Sequence, residues 1–131
     1  MSNIDLFSDA TVIDPNNYWP EGKIVEKLSD RIDILAFSGH STVDLAVTIR
    51  QRDLLTGCTR VVSVAGDLFE SEDDLVKEEL WKDISIDTEK QLIARRHLLD
   101  VSDIIVPGHG RAFRVGRRPM VSIVCLQTFL A

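Results

Sequence analysis

Three short segments of this chain place a chemically capable side chain beside glycine: Ser38-Gly39-His40-Ser41, Ala65-Gly66-Asp67-Leu68-Phe69 and Pro107-Gly108-His109-Gly110. Each follows a run that reads as a β-strand. Glycine lets the backbone take unusual dihedrals and approach a neighbour closely. Strand ends in one sheet share a rim, so groups far apart in sequence can converge there. His40 and His109 each offer a neutral imidazole nitrogen, and Asp67 offers two oxygens that can bridge two cations. Zinc accepts both ligand types at about 2.0–2.2 Å. Two zincs about 3.5–4 Å apart can hold an attacking water and stabilise a leaving oxygen. Taken singly, each residue has a plainer reading. His40 would be a satisfied loop histidine and Asp67 an N-cap for the acidic segment after it, whereas His109, held between two glycines, has little packing to do. Taken together and in this order, His, Asp and His read as metal ligands, and they point to zinc-dependent hydrolysis.

The elements that must carry these residues are legible from periodicity. Ala10–Ile13 is a short strand candidate, followed by a loop rich in Pro, Asn and Gly from Asp14 to Gly22. Lys23–Leu28 and Arg31–Phe37 alternate apolar and polar residues across a tight Ser29-Asp30 turn, with Ile32, Ile34 and Ala36 on one face. Leu45–Ile49 is a further strand, and Arg60–Ala65 is a β-branched run that suggests a buried one. Ser71–Asp83 carries Leu75, Val76, Leu80 and Trp81 at helical spacing. Its acids Glu72-Asp73-Asp74 read as a solvated first turn favoured by the helix dipole. Thr88-Glu89-Lys90-Gln91 matches a capping box with Thr88 as cap, opening a helix to about Leu99 with Leu92 and Leu99 inward. His97 on that helix reads as a surface or boundary residue. Ile104–Val106 and Ala112–Val115 complete the pattern as strands. Strands followed by helices and a returning strand predict an α/β sandwich rather than a bundle.

At 131 residues the chain is one domain at most. Its net charge of −6 argues against broad attraction to nucleic acid. Arg111, Arg114, Arg117 and Arg118 follow the third motif; they read first as a solvated turn and edge strand, with a phosphate-contacting rim as the competing reading. Cys58 and Cys125 are the only cysteines and stand in no metal-binding or disulfide pattern, so a reducing, intracellular setting is expected. The N-terminus has no signal-like segment. No apolar run reaches the roughly 18 residues that span a bilayer, and Met120–Ala131 is too short.

The three motifs resemble the later metal-binding motifs of the metallo-β-lactamase superfamily. Ser-Gly-His-Ser at His40, Ala-Gly-Asp-Leu-Phe at Asp67 and Val-Pro-Gly-His-Gly at His109 carry the likeness. The longer texts Val64–Glu70 and Asp103–Val115 are similar to one animal subfamily. The likeness covers residues 3–115 as a partial domain and leaves 116–131 as an unmatched tail. It implies an αββα sandwich, two zincs in the complete domain, and hydrolysis of an ester, thioester, lactam or phosphodiester. For the subfamily it implies an endoribonuclease that trims histone pre-mRNA in nucleus and cytosol. His40 would bind the first zinc, His109 the second, and Asp67 both.

Members of this superfamily also carry an earlier His-x-His-x-Asp-His motif with four further ligands. This sequence has none; its histidines are His40, His97 and His109. Asn3–Phe7 resembles the segment that comes after that motif in the subfamily, so the chain is expected to be the C-terminal part of the domain, incomplete at the N-terminus. Two ligands per zinc then predict weak or absent metal on this chain alone, against the three usual at a catalytic zinc. A second copy in a homo-oligomer would be one source of the remainder. The competing expectation is a non-catalytic binding or regulatory module.

Overall fold

The computed structural model describes residues 22–116. The strand expected at Ala10–Ile13, the segment Asn3–Phe7, most of the loop before Gly22, and residues 117–131 with Arg117 and Arg118 lie outside the described residues. Six strands form one mixed sheet: β1 (Lys23–Ser29), β2 (Ile32–Phe37), β3 (Asp44–Arg52), β4 (Thr59–Gly66), β5 (Ile104–Pro107) and β6 (Phe113–Arg114), hydrogen-bonded in that order. Neighbours are antiparallel except β4 and β5, which are parallel. Parallel neighbours need a long crossover. Here it contains a 3-10 helix (Glu72–Leu75), a one-turn helix α1 (Glu79–Lys82) and the 14-residue helix α2 (Thr88–Val101).

This topology brings the three glycine-flanked motifs to one rim. β2 and β4 both pair antiparallel with β3, so they run in the same direction, and β5 runs with β4. The C-terminal ends of β2, β4 and β5 therefore lie at one edge of the sheet, and His40, Asp67 and His109 come directly after those three ends. A register shift between Val64 and Gly66 interrupts the β4–β5 ladder at this edge. Such irregularities bend a strand and re-aim the side chains beyond it.

The core lies between α2 and one sheet face. Leu35, Phe37, Ala46, Ala65, Ile105 and Phe113 from the sheet meet Ala94 and Leu98 of α2, with Leu68 and Phe69 from the loop after β4. β2 departs from simple alternation: Ile34, Leu35, Ala36 and Phe37 are all buried. Among the described residues there is one sheet with helices, in keeping with part of an α/β fold.

Five local expectations are corrected. The cap of α2 is Asp87, not Thr88, because the Asp87 carboxylate accepts the Lys90 N–H at 3.0 Å. The inward face of α2 is Gln91, Ala94, Arg95 and Leu98, with Leu99 partly buried against the same core, whereas Leu92 is only half-buried. Two of those four positions are polar, so apolar periodicity pointed one residue away. The segment Ser71–Asp83 is not one helix but the 3-10 turn and α1. Trp81 is buried there while Leu75, Val76 and Leu80 stay exposed. Asp74 is not solvated: it is fully buried and paired with Arg95. Cys58 is not a free thiol, so the expectation of unbridged cysteines does not hold at that position.

Candidate metal centre

Each of the three rim loops is held by its own set of contacts. His40 lies in the β2–β3 connection, whose geometry is set by Asp44. The Asp44 carboxylate accepts the N–H of His40 at 3.1 Å, the N–H of Ser41 at 3.1 Å and the Ser41 hydroxyl at 2.6 Å. Gly39 has φ +136°, and a Cβ there would stand 2.4 Å from the backbone of Gln91. Its carbonyl accepts from the N–H groups of Ile86 and Asp87 at 2.9 and 3.0 Å, and from the Ser85 hydroxyl at 2.9 Å. The lead-in to α2 thus clamps the His40 loop directly.

Asp67 comes after Gly66, which turns the chain out of β4 at φ +55°. The side chain of Gln91 donates to the carbonyls of Asp67 and Leu68 at 3.4 and 3.3 Å. One residue of α2 therefore packs against both the first and second motifs. Further along, the Arg95 guanidinium donates to Leu68 O at 2.8 Å and grips both oxygens of Asp74 at 2.6 and 3.0 Å. It also lies over the rings of Phe69 and Trp81, at 4.2 and 4.6 Å from their centres. A planar cation between a bidentate carboxylate and aromatic faces suits arginine and not lysine. The third motif is tied to the second by backbone: Gly108 N–H donates to Phe69 O and His109 N–H to Glu70 O, both at 2.9 Å.

These ties bring all three predicted residues together. His40 Nε2 lies 3.4 Å from Asp67 Oδ2, and His109 Nε2 lies 3.2 Å from Asp67 Oδ1. One carboxylate thus faces two imidazoles, one through each oxygen. Ligand atoms on a tetrahedral zinc at about 2.0–2.2 Å stand roughly 3.3–3.6 Å apart, and both approaches lie at or near that spacing. His40 is about three-quarters buried and His109 is largely exposed. His97, as a residue apart, is half-buried with its ring edge-on to Phe37, 5.4 Å away.

Sequence reasoning missed Glu70. Its Oε1 lies 3.9 Å from His40 Nδ1 and its Oε2 3.7 Å from His109 Nε2. His40, Asp67 and Glu70 offer atoms within 4.8 Å of one another, a group able to hold a metal ion. Burial raises the Glu70 carboxyl above its ordinary value, and the neighbouring Asp67 charge adds to this, while His109 and His40 oppose it. His40 Nδ1 and Glu70 Oε1 are buried without a hydrogen-bond partner among the described residues. Two acids facing two imidazoles, with one buried atom on His40 and one on Glu70 left without a partner, fit a cation. Glu70 comes after Phe69 as an unremarkable acid before more acids, and no spacing rule distinguishes it. Arg111 and Arg114 near the third motif are exposed.

No protein-family model matches the chain. It is similar to "Metallo-beta-lactamase domain-containing protein 1" of Xenopus laevis, 32% identical over 126 residues, covering 88% of this chain and 51% of that protein. The rat protein of that name is 32% identical, with 93% of this chain and 50% of the relative covered. The human one is 31% identical, with 89% and 45% covered. The chain spans about half the length of these curated relatives. Their likeness runs through most of the chain, including the rim where the glycine-flanked histidines and aspartate meet, and over that length this chain is a homologue of metallo-β-lactamase domain-containing protein 1.

Proposed function

We propose that this chain carries part of a zinc hydrolase centre of the metallo-β-lactamase type, with His40, Asp67 and His109 as ligands. The observation that supports this is the Asp67 carboxylate presenting one oxygen to each imidazole, at 3.4 and 3.2 Å. His40 and Asp67 would hold one ion, and His109 and Asp67 the other. Zinc bound there supplies a Lewis acid that lowers the pKa of water and offsets developing negative charge. The chain's own residues do the rest. Asp44 and the α2 lead-in hold the His40 loop, Gln91 holds the Asp67 loop, and the Phe69 and Glu70 carbonyls hold the His109 loop.

By resemblance, residues 1–115 belong to the C-terminal part of an αββα sandwich. The substrate class is an RNA phosphodiester in histone pre-mRNA processing, with the protein in nucleus and cytosol. No helix among the described residues is long and apolar enough to cross a membrane.

A second reading, a non-catalytic binding or regulatory module, is favoured by ligand count. The sequence holds three histidines. Two zincs here would each have one imidazole and a shared carboxylate, against three protein ligands at a catalytic zinc. Zinc titration and cleavage of a short single-stranded RNA by the purified chain separate the two. The hydrolase reading expects cleavage that a chelator stops and that Asp67→Ala abolishes while His97→Ala leaves it. Zinc binding without cleavage selects the module. Equal effects of Asp67→Ala and His97→Ala on zinc affinity overturn the ligand assignment itself.

A further inference from the structure

We infer that Glu70 is the positioning carboxylate of this centre, accepting the Nδ1 hydrogen of His40 and so directing Nε2 of that ring toward Asp67. The inference rests on the metal reading above. It begins from two buried atoms. His40 Nδ1 and Glu70 Oε1 each lack a hydrogen-bond partner among the described residues, and they face each other at 3.9 Å. Buried polar atoms in native proteins are nearly always paired. Closing the gap by about 1 Å makes this pair a hydrogen bond.

The direction of approach assigns the role. Glu70 Oε1 meets Nδ1 of His40, whereas Asp67 Oδ2 meets Nε2, the nitrogen that faces the ion position. A histidine that binds metal through one nitrogen commonly donates its other N–H to a carboxylate, which fixes ring orientation and tautomer. The placement of Glu70 is itself over-determined. Its backbone N–H donates to Asp74 Oδ2 at 2.7 Å, and Asp74 is locked by Arg95 of α2. Its carbonyl accepts the N–H of His109 at 2.9 Å. The buried Arg95–Asp74 pair therefore reaches the centre through a single residue, whose side chain lies within 4 Å of both imidazoles and whose carbonyl holds the backbone of His109. Glu70 Oε2 lies 3.7 Å from His109 Nε2, so direct ligation from that oxygen is the rival role to be tested.

The test compares zinc affinity of the full chain, by competition with a chromophoric chelator, for wild type, Glu70→Gln, Glu70→Ala and Asp67→Ala. Melting curves confirm that each variant folds. Glutamine keeps a carbonyl acceptor for Nδ1–H but is a poor zinc ligand, so it separates positioning from ligation. The expected result is a loss of about 10–100-fold for Glu70→Ala, near-wild-type affinity for Glu70→Gln, and a larger loss for Asp67→Ala. The imidazole ¹⁵N spectrum of the zinc-loaded chain should show His40 protonated at Nδ1 in wild type and Glu70→Gln, with that signature weakened in Glu70→Ala. Glu70→Gln falling as far as Glu70→Ala would make Glu70 a ligand and overturn the inference. Wild-type affinity in Glu70→Ala, beside a loss in Asp67→Ala, removes the role of Glu70 and leaves the metal reading standing. An Asp67→Ala chain that binds zinc as the wild type does, or a wild-type zinc affinity that none of the variants changes, overturns the metal reading and the role of Glu70 with it.

Discussion

The Asp67 carboxylate occupies the space where Gly108 would carry a side chain: a Cβ on Gly108 would stand 1.9 Å from Asp67 Oδ1. The glycine before His109 is thus required by the aspartate of a different motif, 41 positions earlier in the chain. Gly108→Ala should push the carboxylate out from between the two imidazoles while leaving the core intact. Zinc affinity is expected to fall about tenfold or more, by analogy with lost supporting contacts at metal sites. The melting temperature should change far less than in the core variants below. Isothermal titration and thermal melts on the same preparation check this.

Gly39 poses a different constraint. A Cβ there meets the Gln91 backbone at 2.4 Å, and the φ of +136° disfavours any L side chain. Backbone cannot move aside as a carboxylate can. Gly39→Ala should therefore destabilise the fold by about 3 kcal/mol or more, from strain and displacement of α2 together. Urea unfolding followed by circular dichroism measures it; a loss below about 1 kcal/mol would show that the loop relaxes freely.

The Asp74–Arg95 pair is fully buried on one side and almost so on the other. Removing one partner leaves an uncompensated buried charge, which typically costs about 3–5 kcal/mol. Asp74→Ala should reach that range in urea unfolding. It should also weaken zinc binding, because Asp74 holds the backbone of Glu70. The double replacement of Asp74 and Arg95 by apolar residues should recover part of the stability without the metal affinity.

Asp33 supplies a pH signature remote from the rim cluster. Its carboxylate accepts from Arg50 Nη1 at 2.7 Å and from Lys27 Nζ at 3.4 Å. The Arg50 hydrogen bond is the main reason its pKa lies below the ordinary aspartate value of 3.8, with burial opposing and Lys27 assisting. A folded pKa below the unfolded one means that the pair stabilises the fold above the unfolded value. That stabilisation is lost as pH falls through the folded value. Asp33→Asn should accordingly lower the melting temperature at neutral pH. The difference from wild type should shrink as the pH drops below 3.8. A constant difference across that range would assign the effect to packing.

The residues that meet at the rim were readable because glycine beside His or Asp at a strand end is a local signal. The apolar runs of β2, β3, β4 and β5 were readable for the same reason. The supports were not. Gln91 and Arg95 are polar, so a hydrophobic pattern places them outside, yet both are buried and both hold rim loops. Asp74 sits in an acidic run that resembles a solvated helix start, and its burial depends on Arg95, which lies 21 residues away. A buried polar group is tolerable only when its partner is in place, and a partner distant in sequence leaves no mark on the local pattern.

By itself, then, the sequence determined which side chains could bind a cation, His40, Asp67 and His109, and that each ended a strand. The tertiary structure decided that those ends share one rim, because β2, β4 and β5 run the same way. It also decided that Asp67 lies between the two imidazoles and that Glu70 completes the cluster. The division has a physical cause. Ligand chemistry and backbone permissiveness belong to single residues, whereas convergence is set by strand pairing and by buried hydrogen bonds between distant parts of the chain.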